Sequence, residues 1–133
     1  MLLSAKAQQK TSKLLITEKD TLFVLKASIE GLDTLFQRTF TGQSLSIINE
    51  NQLKKNYAFK IHGQDVKYVT DWEKEHYDWQ KPKYFVQIES FKLFNKNKIS
   101  FILWFKECGD EYQFSWRKLN NKWVLIGFKK SKT

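Results

Sequence analysis

The sequence predicts an α+β fold in which N-terminal helices pack on a curved antiparallel sheet built mainly from the C-terminal half. Three observations carry that reading. Apolar residues between Thr17 and Phe40 recur every three or four positions, four apolar runs from Lys83 onward are separated by short Asn, Gly or Asp turns, and one of those runs alternates apolar with polar residues. Helices first and a meander last place the helices on one face of the sheet.

In the first segment Leu22, Leu25, Ile29, Leu32, Phe36 and Phe40 draw a single stripe along a helix. Thr17 with Asp20 three residues later forms a capping box, aspartate standing where glutamate is usual. Gly31 costs such a helix about 1 kcal/mol relative to alanine, which makes it the place for a break or kink. Over residues 14–26 a hairpin turning at Glu18 to Asp20 competes, because "KLLITEKDTLFVL" is rich in strand-forming residues. Helix is the preferred reading.

In "SIINENQLKKNY" Asn49 reads as the cap of a short helix that carries Leu53 and Tyr57 inward. "YAFKI" follows as a strand stopping at Gly63, and "DVKYVT" as a second short strand. The runs "KYFVQIESFKLF", "KISFILWFKE", "EYQFSWRKL" and "KWVLIGFKK" are then joined by "NKN", "CGD" and "NN", which predicts an antiparallel meander. Tyr112, Phe114 and Trp116 alternate with Gln113, Ser115 and Arg117, as a sheet with one buried and one polar face requires. The apolar phase of the first run changes between Ile88 and Phe91, which predicts a β-bulge near Glu89 and Ser90 and a bent strand.

A chain of 133 residues suits one domain, taken as residues 8–133. The net charge of +9 is uneven, because residues 81–133 hold 12 basic and 4 acidic side chains and thus 8 of the 9 net charges. Arg38 and Arg117 are the sole arginines, so the planar fork that nucleic-acid sites use for phosphate and guanine is nearly missing. Weak, sequence-independent polyanion binding is the most this composition predicts, with no specific nucleic acid as partner. A lone Cys108 excludes an intrachain disulfide and any Cys-rich metal centre.

The opening "MLLSAKAQQK" resembles the end of a secretory signal, with Ala5 and Ala7 at the −3 and −1 positions and Gln8 as the first mature residue. On that reading residues 1–7 are a signal-peptide remnant and the domain is periplasmic or secreted; on the other they are an ordinary frayed terminus and it is cytoplasmic. No window approaches the ~18 apolar residues of a transmembrane helix.

Two segments carry groups suited to proton chemistry. "DWEKEHYDWQKP", if helical, sets Trp72, His76 and Trp79 on one face with Glu73 and Glu75 beside the histidine, either as a pocket lip with a proton carrier or as an aromatic cover over one end of the sheet. "KIHGQDVKY" sets His62 three residues before Asp65 around a glycine turn, a minimal acid/base pair, although a turn aspartate commonly bonds its own backbone. Glu73 and His76 form half of a Glu-x-x-His carboxylate metal motif without a second copy, so no metal is assigned. No Gly-rich phosphate loop, Gly-x-Ser-x-Gly elbow or His-Glu-x-x-His zinc helix occurs. No cofactor is expected.

With a helical N-terminal half and a bent meander closing on "FSWRKLNNKWVLIGF", the chain resembles the nuclear transport factor 2-like superfamily of cystatin-like α+β architecture. The resemblance implies a cone-shaped sheet around a helix and an apolar pocket, which members use for small-molecule binding, for isomerase or dehydratase chemistry, or for protein pairing, so fold does not settle function. The pocket so implied would be lined by Trp72, Trp79, Tyr112, Phe114, Trp116 and Arg117. The leading expectation is a non-enzymatic, exported bacterial domain that holds a small apolar or amphipathic ligand or a protein partner, with homodimer formation as one form of pairing. The alternatives are a pocket enzyme using His62, Asp65 or His76, and a weak polyanion binder.

Overall fold

The computed structural model describes residues 16–32, 45–61, 63–70, 84–105 and 109–132. Helix α1 spans Glu18–Gly31 and starts at the expected capping box. Thr17 Oγ1 accepts from the Asp20 amide at 3.2 Å, while Asp20 Oδ2 accepts from the Thr17 amide at 2.9 Å. Two of the four orphan amide groups of a helix start are thereby satisfied locally, which rules out the competing hairpin at Glu18 to Asp20. The helix ends at Gly31, where the glycine marked a break, and Leu32 closes it by donating its amide to the Ile29 carbonyl. Phe36 and Phe40, the end of the predicted stripe, lie outside the described residues, as do residues 1–7.

The buried face of α1 carries Thr21, Val24, Leu25, Ser28 and Ile29, with Leu32 just beyond it. It is richer in small polar groups than an apolar stripe alone would give. Ser28 Oγ donates to the Val24 carbonyl at 2.8 Å, so its hydroxyl enters the core already bonded.

Among the described residues eight strands follow: β1 (Leu45–Ile48), β2 (Lys60–Ile61), β3 (Gln64–Asp65), β4 (Lys67–Tyr68), β5 (Tyr84–Phe94), β6 (Lys98–Phe105), β7 (Asp110–Leu119) and β8 (Lys122–Lys132). Six of them form one sheet in the order β4-β1-β5-β6-β7-β8, and β2 and β3 make a small hairpin. The four long strands are the antiparallel meander that the turns predict. Asn120 and Asn121 take φ values of 49° and 63° between the paired Leu119 and Lys122, the two-residue left-handed turn that matches the twist of a hairpin. Gly109 (φ 76°) and Asn95 (φ 52°) supply the left-handed positions of the other two connections.

The β5 bulge falls at the predicted place. Three steps from Glu89 to Lys92 oppose two steps from Ile102 to Ser100, and Ser90 has a φ of 51°. Beyond it Phe91 packs on the core side and stacks on Phe101 at 5.8 Å. A second, unforeseen bulge inserts Ile126 into β8 opposite Ser115 and Trp116.

Two expectations need correction. The sheet is mixed rather than purely antiparallel, because β1 pairs in parallel with both β4 and β5. Residues Leu45 to Ile48 are all buried, so the strand lacks the period-two alternation that reveals a half-exposed one. After Asn49 the chain forms turns and bends instead of the expected short helix, since Glu50 and Asn51 take positive φ values of 44° and 63°. Asn49 still caps locally, its Oδ1 accepting from the Leu53 amide at 2.7 Å, and Leu53 and Tyr57 are buried as expected.

One core joins helix and sheet. Val24, Leu25 and Ile29 of α1 meet Val86 and Ile88 of β5, the alternate residues Ile99, Phe101, Leu103 and Phe105 of β6, and Tyr112 and Phe114 of β7. Phe101 stacks between Phe91 and Phe114, and Phe105 meets Tyr112 edge to face. No helix among the described residues is long and apolar enough to cross a membrane.

Candidate functional site

A cleft of about 210 Å³ opens where the first turn of α1, the loop after β1 and the bulged part of β5 converge. Its position follows from the local devices already described. The capping box fixes Thr17 and Glu18 at the helix start, and Thr21 lies one turn on. The Asn49 turn delivers Leu53 and Tyr57 to the opposite wall. The bulge turns Phe91 and Leu93 into the floor, and Gln52 Oε1 accepts the Phe91 amide at 3.0 Å across 39 residues of sequence. Without that side chain the amide displaced by the bulge would lose its partner at a partly buried site.

The walls are therefore apolar and the rim polar. Lys54 contributes to the rim, and next to it Lys55 pairs with Glu18 at 3.0 Å in a solvent-exposed bridge worth at most about 1 kcal/mol. Such a site can hold a short alkyl chain or one ring and present a charge at the opening. Among its described lining residues Glu18 is the one carboxylate, and it is engaged with Lys55.

A second, shallower cleft of about 500 Å³ lies beside the β1 turn and is lined by Asn49, Glu50, Asn51, Asn56, Tyr68 and Thr70 among others. Burial pushes the Tyr68 hydroxyl up to about 12, the neighbouring Tyr57 adds to the rise, and the bond to the Tyr57 carbonyl opposes it. Tyr68 thus stays protonated and donates to that carbonyl at 2.7 Å. It acts as a strut.

The residues picked from the sequence are spread across the molecule. His62, Trp72, His76 and Trp79 lie outside the described residues, so neither the His62–Asp65 pair nor the Trp72–His76–Trp79 face has a described geometry. Asp65 itself sits exposed on β3 opposite Lys60. Tyr112 and Phe114 share the helix-facing side of β7 with Trp116, as the alternation requires, but the first two are core residues at 1% and 3% exposure. Trp116 is partly buried and its Nε1 donates to Ser28 Oγ at 2.8 Å, which ties β7 to α1. Arg117 is exposed on the opposite face of β7. Among the described residues no group of three or more His, Cys, Asp or Glu side chains is placed to hold a metal.

Phe91, Leu93 and Gln52 were not foreseen as site residues. The phase change at Phe91 was the available signal, because a bulge re-aims the side chains beyond it. Comparison of the chain with family models, with curated proteins and with solved structures returns no significant match.

Proposed function

We propose that this chain is a non-catalytic, exported binding domain of nuclear transport factor 2-like architecture, with a curved sheet, that takes a small apolar or amphipathic molecule in the cleft between α1 and β5. The observation that carries the reading is the cleft itself, with Leu53, Tyr57, Phe91 and Leu93 as apolar walls and Glu18 and Lys54 at the rim. Its volume is below the roughly 300–1,000 Å³ of drug-sized sites, which favours a short chain or a single ring over a lipid or a dinucleotide. A charged headgroup would remain in water beside Glu18 and Lys54 while the tail is desolvated. Support for export comes from the Ala5 and Ala7 spacing before Gln8. A mature chain beginning at Gln8, read by mass spectrometry of protein expressed from its native gene, is the expected result; an uncleaved chain in the cytoplasm would remove the export part of the proposal.

Octanoate and indole are suitable probes for an amide NMR titration. A ligand of about ten heavy atoms at a few tenths of a kcal/mol each predicts dissociation constants on the order of 1 mM. Saturable shifts should cluster on the amides of Leu53, Tyr57, Phe91 and Leu93, and Leu93→Arg, which places a charge in the floor, should abolish them. Shifts that are absent, or scattered without saturation, would dispose of the cleft as a ligand site.

A further inference from the structure

We propose that the edge of β8, the last strand of the sheet among the described residues, is a docking strand on which an extended, acidic segment of a partner protein adds to the sheet through backbone hydrogen bonds. The inference is independent of the cleft, whose lining residues come from α1 and the residues just before it, the loop after β1 and β5, none of them from β8.

Among the described residues β8 is the last strand in the sheet order, and it runs for 11 residues, so it presents a long row of backbone groups on the side away from β7. Its side chains do not look like those of an edge left to water. Val124, Leu125, Ile126 and Phe128 are 42%, 42%, 45% and 50% exposed, and Leu119 at the end of β7 adds to the same end of the sheet. A contiguous apolar stretch of this kind on an edge strand marks an interaction site or an aggregation hazard. Phe128 is already set in place by its ring contacts with Tyr112 at 5.9 Å and Phe114 at 5.3 Å, so an incoming side chain would meet an ordered aromatic surface.

Charge decides what kind of strand fits. From Tyr112 to Thr133 the sequence holds six cations, Arg117, Lys118, Lys122, Lys129, Lys130 and Lys132, and no acidic residue. Two of them are engaged within the fold, Lys118 with Asp20 at 3.4 Å and Lys130 with Asp110 at 3.9 Å. Lys122 and Lys129 are exposed at either end of the apolar row. A second copy pairing antiparallel through this edge would bring four lysines of each β8 into one seam, and like charges on adjoining strands are destabilising. The Ile126 bulge also works against a flat self-pairing edge. A partner strand alternating carboxylates with apolar side chains meets neither obstacle, because its apolar side chains can cover Leu125 and Phe128, which register with Trp116 and Phe114 on the helix-facing side, while its carboxylates meet Lys122 and Lys129 on the other. Nucleic acid fits less well, since one arginine in this stretch offers little for phosphate or base, and the apolar row would remain wet.

The test uses a fluorescein-labelled nonapeptide alternating glutamate with valine, titrated against the full chain by anisotropy. Controls are the lysine–valine counterpart, an oligoglutamate of equal length and a ten-nucleotide oligouridine. Binding of the glutamate–valine peptide is expected, with weakening of at least tenfold between 50 and 500 mM salt, slowed amide exchange confined to residues 122–132, and at least tenfold loss in both Ile126→Glu and Lys129→Glu. Thermal unfolding of each variant separates lost docking from lost folding, and Lys129→Gln, which removes charge without reversing it, serves if either variant fails to fold. Equal binding of oligoglutamate would reduce the edge to a charge site and overturn strand addition. Tighter, competing binding of oligouridine would assign it to nucleic acid. A sedimenting dimer that the peptide cannot dissociate would assign it to a second copy, and absence of peptide binding at 1 mM would refute the proposal outright.

Discussion

Phe101→Ala is expected to lower the unfolding free energy by about 3–5 kcal/mol, measured by urea denaturation at neutral pH. Phe101 is fully buried at the middle of β6, itself between β5 and β7. Its ring stacks on Phe91 at 5.8 Å and on Phe114 at 5.5 Å, so truncation removes both aromatic contacts and leaves a cavity under α1. Those two neighbours sit on β5 and β7, both paired with β6, and have little freedom to collapse into the space. Phe101→Leu keeps much of the volume and should cost about 1–2 kcal/mol. Because Phe91 reaches the core only through the bulge, the alanine variant should also shift the amides of Gln52 and Ser90. A loss below about 1.5 kcal/mol for alanine would mean that the bulged strand relaxes freely and the three-ring stack is not a fixed part of the core.

The meander was legible because each of its signals is local. Asn120 and Asn121 name a turn whose backbone requires positive φ, and the residues around them alternate with the pleat. Glu89 and Ser90 could be picked as the bulge from one change of phase, since a period-two pattern registers a single inserted residue. Thr17 and Asp20 likewise fix the start of α1 from a spacing of three. β1 escaped for the opposite reason. Leu45 to Ile48 are buried on both faces, so nothing in their order separates a parallel central strand from any short apolar run, and their partners at Lys67 and Tyr84 lie far along the chain.

The candidate site was less legible than the fold. Tyr112, Phe114 and Trp116 were rightly placed on one face, yet position on a face says nothing about whether α1 covers it. Here α1 does cover it, through Ser28 and the Trp116 indole. The cleft depends instead on three residues that meet only in the folded chain, Thr21 on the helix, Leu53 in a turn and Leu93 past the bulge. No spacing in the sequence relates them. The exposed row on β8 was visible as "WVLIG", but its meaning depends on β8 being the edge of the sheet, which is a fact of topology.

Asp20→Ala is expected to cost about 2–4 kcal/mol at pH 7, because one carboxylate serves both the helix start and the last hairpin. Its Oδ2 accepts from the Thr17 amide and hydroxyl, while Oδ1 accepts from Trp123 Nε1 at 2.9 Å and lies 3.4 Å from Lys118 Nζ. The side chain is only 14% exposed, so alanine would leave the indole N–H and the Thr17 amide short of an acceptor away from bulk water. Burial alone would push the carboxyl up. The hydrogen bonds from Thr17 and Trp123 and the charge of Lys118 outweigh it and hold the group below its ordinary 3.8. A carboxyl whose pKa is depressed by folding contributes stability that is fully present above the unfolded value of 3.8 and is lost as pH falls through the folded value. Asp20→Asn retains an acceptor for the cap but removes the charge, so it isolates that contribution. Urea unfolding of both proteins between pH 7 and pH 2 should show a stability difference that is constant above about pH 5, shrinks below the ordinary carboxylate value and vanishes once the folded carboxyl is protonated. A difference that stays flat down to pH 2, or grows on acidification, would mean that Asp20 does not join α1 to the β7–β8 hairpin as an anion.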